Sequence, residues 1–282
     1  MAERLLLCTD LDRTLLPNGP QPESPDAMLR LKQLVRHESV VLVYVTGRDQ
    51  VLVENAIDEF RLPQPDYVIA NVGSTIYQVE QGRWSHWQIW QQEISPDWNG
   101  LTHDEMHELF SAIPSLQLQE AAKQNEYKLS YYVSLDDDEQ ALMIKMQCIL
   151  DRRAIRVNLI WSIDELAAIG LLDVLPAAAS KRHAIEFLMA QLGFNHSNTI
   201  FAGDSGNDLA VLSSPINSVL VANASAEVRD EAQRLASDIG QAEALYFAHG
   251  GFLGMNGNYS AGILEGVAHY LPQTIKLMEG QI

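Results

Sequence analysis

The stretch Leu5 to Leu15, L-L-L-C-T-D-L-D-R-T-L, decides how the rest of the chain is read. Three leucines and Cys8 make a short apolar run of the kind a strand buried on both faces needs, and the run stops at two carboxylates, Asp10 and Asp12. In an open α/β sheet ligands collect outside the carboxyl ends of the parallel strands, so an acidic pair just past a buried first strand stands where a site is expected. Leu11 separates the two acids, so both carboxylates can face one small volume. Like charges that close are costly unless one holds a proton or a cation stands beside them, and a hard cation such as Mg²⁺ takes one or two carboxylates together with phosphate oxygens. Phosphoryl transfer, with one Asp as nucleophile and the other as general acid and base, fits the pair. An Asp-rich turn that only closes a strand is the plainer reading of these residues alone.

Outward from that strand, Asp26 to Arg36 carries a helical stripe at Met28, Leu29, Leu31, Leu34 and Val35, and Val40 to Val45 (V-V-L-V-Y-V) is an almost wholly apolar second strand. Strand, helix, strand implies a parallel pair. Val51 to Phe60 reads as a helix, Tyr67 to Ala70 as a strand, and Val72 to Tyr77 as a turn leading into a hairpin. From Trp84 to Ile169 the texture changes: an aromatic-rich segment, the extended Lys128 to Leu135, a helical Glu139 to Leu150, and Ile155 to Ile160 describe an α+β insert. The βα rhythm resumes at Leu171, with a helix over Ser180 to Leu192 closed by Gly193, a strand over Thr199 to Ala202 and another over Val219 to Val221. The expected fold is α/β, a Rossmann-like parallel sheet core (1–83 and 170–282) with an inserted α+β domain (84–169).

The 282 residues carry a net charge of −18, with no visible Lys/Arg cluster, which argues against nucleic acid or an anionic membrane surface as partner. Cys8 and Cys148 form no C-x-x-C, the first residues lack signal-peptide architecture, and no apolar run approaches a membrane span; a soluble protein of the reducing cytoplasm is expected.

Three further clusters fall at telling places. Thr46-Gly47-Arg48 ends the second strand, where a hydroxyl, an unhindered N–H and a guanidinium can meet phosphate oxygens, although T-G-R is also a common turn. Lys181 opens a helix, where the macrodipole disfavours a cation unless an anion is near. Gly203 to Asp208 (G-D-S-G-N-D) sets two acids four apart in a Gly-rich turn at a strand end, and lacks the acid spacing and closing Glu of a helix-loop-helix calcium site.

In this order, D-L-D-R-T (Asp10 to Thr14), Thr46, Lys181 and G-D-S-G-N-D resemble the four motifs of the haloacid-dehalogenase-like phosphohydrolases. Arg13 stands where that family usually has Gly or Asn. The resemblance implies that Asp10 attacks phosphorus to give an aspartyl-phosphate and that Asp12 is the acid and base. It assigns Mg²⁺ to Asp10, Asp12 (through its carbonyl) and Asp204, with Asn207 and Asp208 in support, and the phosphoryl oxygens to Thr46 and Lys181; Gly47 and Arg48 are the further phosphate-binding candidates from the T-G-R turn. The insert lies at the family's position for a substrate-selecting cap. Within the family, Val72-Gly73-Ser74-x-Ile76-Tyr77, Tyr127 to Tyr131 (Y-K-L-S-Y), Asp173 to Pro176 (D-V-L-P) and Ala261 to Glu265 (A-G-I-L-E) look like sucrose-phosphate phosphatases. That similarity makes sucrose 6-phosphate the expected substrate and Glu120, Lys128 and Asp173 the candidates for sugar hydroxyls. Alternatives are a phosphatase of another glycoside phosphate such as mannosylfructose phosphate, a phosphomannomutase, or a non-catalytic phosphosugar-binding partner of a glycosyltransferase; the glycosyltransferase that makes the substrate is a further possible partner.

His103-Asp104-Glu105-Met106-His107 has the i, i+4 histidines of a zinc protease helix but sets its Glu one place late, so a polar helix face is expected. The tryptophans at 84, 87 and 90 are expected to pack within the insert, and Asp136 to Glu139 to cap a helix.

Overall fold

A computed structural model of the protein describes residues 4–164 and 167–279. In chain order its strands are β1 (Leu5–Thr9), β2 (Val40–Val45), β3 (Tyr67–Ala70), β4 (Thr75–Glu80), β5 (Arg83–His86), β6 (Gln117–Leu118), β7 (Leu129–Val133), β8 (Val157–Asp164), β9 (Ile169–Pro176), β10 (Thr199–Gly203), β11 (Asn217–Leu220) and β12 (Leu245–Phe247). All five residues of β1 are buried because the strand is central, flanked in parallel by β10 and β2. The eight-stranded sheet runs β12-β11-β10-β1-β2-β3-β4-β5, parallel from β12 to β3 and antiparallel from β3 to β5. Thr9 lies opposite both Ala202 and Tyr44, so β10, β1 and β2 finish at one level, and the residues just past their ends, Asp204, Asp10 and Thr46, are neighbours. Placement of the acids thus follows from strand register alone.

The helix Ala27–Val35 lays Leu31 and Leu34 on the sheet beside Ile263, Leu264 and Val267 of the helix Ser260–Tyr270, each fully buried. Burial of one such side chain is worth about 1.5–3 kcal/mol, so the apolar stripes rather than helix propensity hold these helices in place.

By internal contacts the chain divides into two units, Met1–His86 with Lys181–Ile282, and Trp87–Ser180. The second unit holds a four-stranded antiparallel sheet, β6-β7-β9-β8, covered by the helix Glu139–Asp151 through Leu142, Met146 and Leu150. Two expectations are corrected here. Residues 170–176 do not reopen the parallel sheet: β9 is the central strand of the antiparallel one, pairing with β7 and β8. Its apolar run (I-G-L-L-D-V-L-P) has neighbours on both edges, which gives it the same signature as a buried parallel strand. Trp84, assigned to the insert, sits in β5, and its ring packs edge-on against Tyr77 at 5.5 Å in the first unit.

Cys8 and Cys148 are free thiols, and among the described residues no helix is long and apolar enough to cross a membrane.

Candidate active site

Asp10 follows β1 directly, and its N–H donates to the Ala202 carbonyl of β10 at 2.9 Å, which fixes the turn. Lys181 opens the helix Lys181–Leu192 and is 2% exposed. Its ammonium donates to Asp10 Oδ1 (2.8 Å), Asp208 Oδ1 (2.7 Å) and Asn207 Oδ1 (2.8 Å), so each of its three protons has an acceptor. Burial works to discharge this lysine, but the charges of Asp10 and Asp208 outweigh it and its pKa is raised. The second oxygen of Asp208 accepts from the N–H groups of Asp204 and Ser205, both at 3.2 Å, closing the Gly203–Asp208 turn on itself. Thr14 donates its hydroxyl to Asp204 Oδ1 at 3.1 Å.

The carboxyl groups here are short of positive charge. Burial raises Asp10, Lys181 pulls it back, and the charges of Asp208 and Asp204 push it up again, with a net upward shift. Asp204 is pushed up to about 6, by burial first and Asp208 second, against the pull of Thr14 and Arg13. One oxygen from each of Asp10, Asp204 and Asp208 lies within 4.8 Å of the other two, and all three residues are buried. An all-oxygen set that repels itself and is reached from solvent only through a cavity suits a hard dication, so the residues present fit Mg²⁺.

Asp12 makes a different set of contacts. Arg48 holds its carboxylate in a fork, Nε to Oδ2 at 2.8 Å and Nη2 to Oδ1 at 2.6 Å, and Asn18 Nδ2 adds a third donor at 2.8 Å. Burial favours the neutral form, yet the Arg48 bonds and charge prevail and the pKa is lowered. Thr46 is buried, and its hydroxyl accepts from the Arg48 N–H at 3.2 Å. A cavity of about 340 Å³ collects Asp10, Asp12, Arg13, Thr46, Gly47 and Arg48 on one side and Asp204, Ser205 and Asn207 on the other. The four segments expected to meet therefore do meet, except that the Arg48 guanidinium is engaged by Asp12 and Asn207 faces Lys181.

The three candidates for sugar hydroxyls all lie in the second unit. Lys128, nearly buried, donates to Ser130 Oγ at 2.8 Å and pairs with Asp173 at 3.3 Å, while Ser130 donates to Asp173 at 2.5 Å. Glu120 stands outside this network, accepting from Tyr132 OH at 2.8 Å. Of the decoys, His107 shares a hydrogen bond with Tyr131 OH at 2.9 Å, Thr102 and Glu105 form a reciprocal helix cap, Asp138 caps the helix Glu139–Asp151, and Trp90 is buried.

Sequence reading missed three residues. Thr14 was quoted in the motif without a role. Asn18 and Asn223 reach the Asp12–Arg13 turn from elsewhere, Asn223 Nδ2 donating to the Arg13 carbonyl at 2.6 Å, and no spacing announces them.

A parallel sheet whose strand ends deliver an acid pair, a hydroxyl and a second acidic turn onto a buried lysine defines a haloacid-dehalogenase-like hydrolase. The sucrose-6F-phosphate phosphohydrolase family model matches residues 3–271, and the chain belongs to that family. It is 50% identical over 280 residues to a putative HAD-like hydrolase of Nitrosococcus oceani, a match covering 99% of this chain and 75% of that protein. It is 31% identical over 243 residues to a probable sucrose-phosphatase of Arabidopsis thaliana, covering 83% of this chain and 54% of the plant protein. The chain thus spans only about half the length of that plant relative. The crystal structure of the sucrose-phosphatase from Synechocystis sp., solved with sucrose and phosphate, superimposes with a TM-score of 0.69 at 26% identity, covering 95% of this chain and 98% of that one.

Proposed function

We propose that the protein is a Mg²⁺-dependent phosphatase of a sugar phosphate, with sucrose 6-phosphate the leading substrate, working through an aspartyl-phosphate on Asp10. One observation carries this reading: the buried Lys181 ammonium joins Asp10 to Asp208, carboxylate oxygens of Asp10, Asp204 and Asp208 lie within 4.8 Å of one another, and Asp10 and Asp204 line one cavity, so a nucleophile, a cation and a place for a second cation share one small volume.

In this scheme an Asp10 carboxylate oxygen attacks phosphorus in line as the bond to the sugar oxygen breaks, and Asp12 gives that oxygen a proton. Water then attacks the phosphoryl group, loses its proton to Asp12, and Asp10 is freed with inorganic phosphate. Lys181 steadies the attacking carboxylate, and Thr46 and the N–H of Gly47 serve the phosphoryl oxygens. Held by Asp10 and Asp204, Mg²⁺ would neutralise charge on the transferring group. The Arg48 fork keeps Asp12 anionic, which suits the water-activating half. In the first half the phosphoryl oxygens compete for the same guanidinium, weakening its hold on Asp12 and allowing that carboxyl to carry a proton.

The Lys128–Ser130–Asp173 network and Glu120 are the proposed sugar-selecting groups, and family membership together with the sucrose-phosphatase relatives supports a disaccharide phosphate. Phosphate release from sucrose 6-phosphate, mannosylfructose phosphate and mannose phosphates, with and without a chelator, tests the reading. Chelator-sensitive release, fastest from sucrose 6-phosphate, is expected. Isomerisation without free phosphate, or no turnover of any of them, would refute it.

A further inference from the structure

Arg13 is the one charged residue of the first motif that the mechanism above leaves unused. Its backbone sits at φ 57°, in the left-handed region that costs an arginine about 1 kcal/mol and that Gly or Asn enters more readily. Two bonds from side chains hold it there: its N–H donates to Asn18 Oδ1 at 2.8 Å, and its carbonyl accepts from Asn223 Nδ2 at 2.6 Å. The side chain this conformation presents is not idle. Its Nε lies 3.6 Å from Asp204 Oδ2, Nη2 donates to the Asn223 carbonyl at 3.4 Å, and the residue, 45% exposed at its side chain, forms part of the cavity wall with Arg48 and Thr46.

Thr14 donates to Asp204 Oδ1 and the Arg13 guanidinium faces Oδ2, so both oxygens of that carboxylate have a neighbour before any cation arrives. A dication approaching Asp204 must displace a positive group or sit beside it, and either costs affinity. Once displaced, the guanidinium stays at the wall of a cavity in which a phosphoryl group is the expected anion. We propose that Arg13 sets the cation affinity of the site, occupying Asp204 when no cation is bound, weakening divalent binding, and turning to the phosphoryl oxygens when a cation takes its place. This makes cation and anion binding mutually reinforcing through Arg13. It rests on the assignment of Mg²⁺ to Asp10 and Asp204.

The test is calorimetric and needs no turnover. MgCl₂ is titrated into chelator-stripped wild-type protein, Arg13→Asn and Arg13→Lys; inorganic phosphate is then titrated into each at saturating Mg²⁺. Asn suits the left-handed backbone, so the first variant keeps the turn. It should bind Mg²⁺ tighter by about threefold or more, as expected for removal of a partly exposed opposing charge, and bind phosphate weaker by a similar factor. Arg13→Lys, with the charge retained, should stay near the wild type in both. A smaller gain in Mg²⁺ affinity, unchanged phosphate binding, or equal behaviour of the two variants overturns the role of Arg13 while leaving the metal assignment standing. Absence of Mg²⁺ binding by the wild type overturns that assignment and this inference together.

Discussion

Replacing Lys181 with Met keeps an apolar stem of similar length and deletes the ammonium, which makes it a measurement of what that charge does for the fold as distinct from catalysis. Three acceptors lose their donor, and two of them are the carboxylates of Asp10 and Asp208. Removing one partner of a buried ion pair costs about 3–5 kcal/mol, because the charge left behind is neither solvated nor neutralised. Asp208 keeps its bonds from Asp204 and Ser205, whereas Asp10 has no other side-chain donor among the described residues and can escape only by taking up a proton. A loss near the lower end, about 3 kcal/mol at neutral pH, is therefore expected. The sign of its pH dependence follows from the same step. Without the ammonium the Asp10 carboxyl in the folded protein titrates further above its value in the unfolded chain than it already does. Below about pH 4 both states hold the proton and the penalty vanishes; as pH rises, the unfolded chain ionises first and stability drains away until the folded carboxyl ionises too. The wild-type carboxyl is itself raised to about 7, so the two proteins part only above that, and the deficit of Lys181→Met should be larger at about pH 8 than at about pH 5, by roughly 1 kcal/mol. Urea unfolding followed by circular dichroism, with chelator present, reads both quantities. A loss below about 1 kcal/mol, or one independent of pH, would mean that Lys181 does not neutralise a buried acid and that the site is wetter than its burial implies.

Asp10→Asn should abolish phosphate release while leaving circular dichroism unchanged and metal-free stability undiminished, since it removes one of several mutually repelling acids; a residual rate within about a hundredfold of the wild type would remove Asp10 as nucleophile. With Asp204 titrating up at about 6, metal-free wild type should lose stability relative to Asp204→Asn as pH rises from about 4 to about 7, and saturating Mg²⁺ should raise the unfolding temperature more at alkaline than at acid pH; an opposite slope sinks the electrostatic account. Gly203→Ala would set its Cβ 2.6 Å from Asp208 Oδ2, displacing the carboxylate that holds Lys181, whereas the Cβ of Gly206→Ala meets nothing within 4 Å. The first should lower kcat about tenfold or more with about 1–3 kcal/mol of instability, the second should do neither, and equal effects would refute the steric argument.

The parts of the fold that sequence made legible are those where one local signal suffices. The strands Val40–Val45 and Tyr67–Ala70 were read at their observed bounds because each is an unbroken apolar run between turn residues. The convergence of Asp10, Thr46, Lys181 and Asp204 was legible because parallel strands deliver their carboxyl ends to one edge. What stayed hidden is what depends on partners far along the chain. The fork between Arg48 and Asp12 spans 36 residues, and only the register of β1 with β2 brings them together. Asn223 has no pattern around it, though its amide locks the turn at Arg13. β9 was misassigned since an apolar strand looks alike in the middle of either sheet, and β12, three residues long, gives too little sequence to show a period.

The chain leaves the first unit after His86 and re-enters it at Lys181, so the first residue back is the one whose ammonium is fixed at three points. The polypeptide coming back from the second unit is thus anchored at its very first residue, and the helix that follows starts from a point held by two carboxylates and an amide.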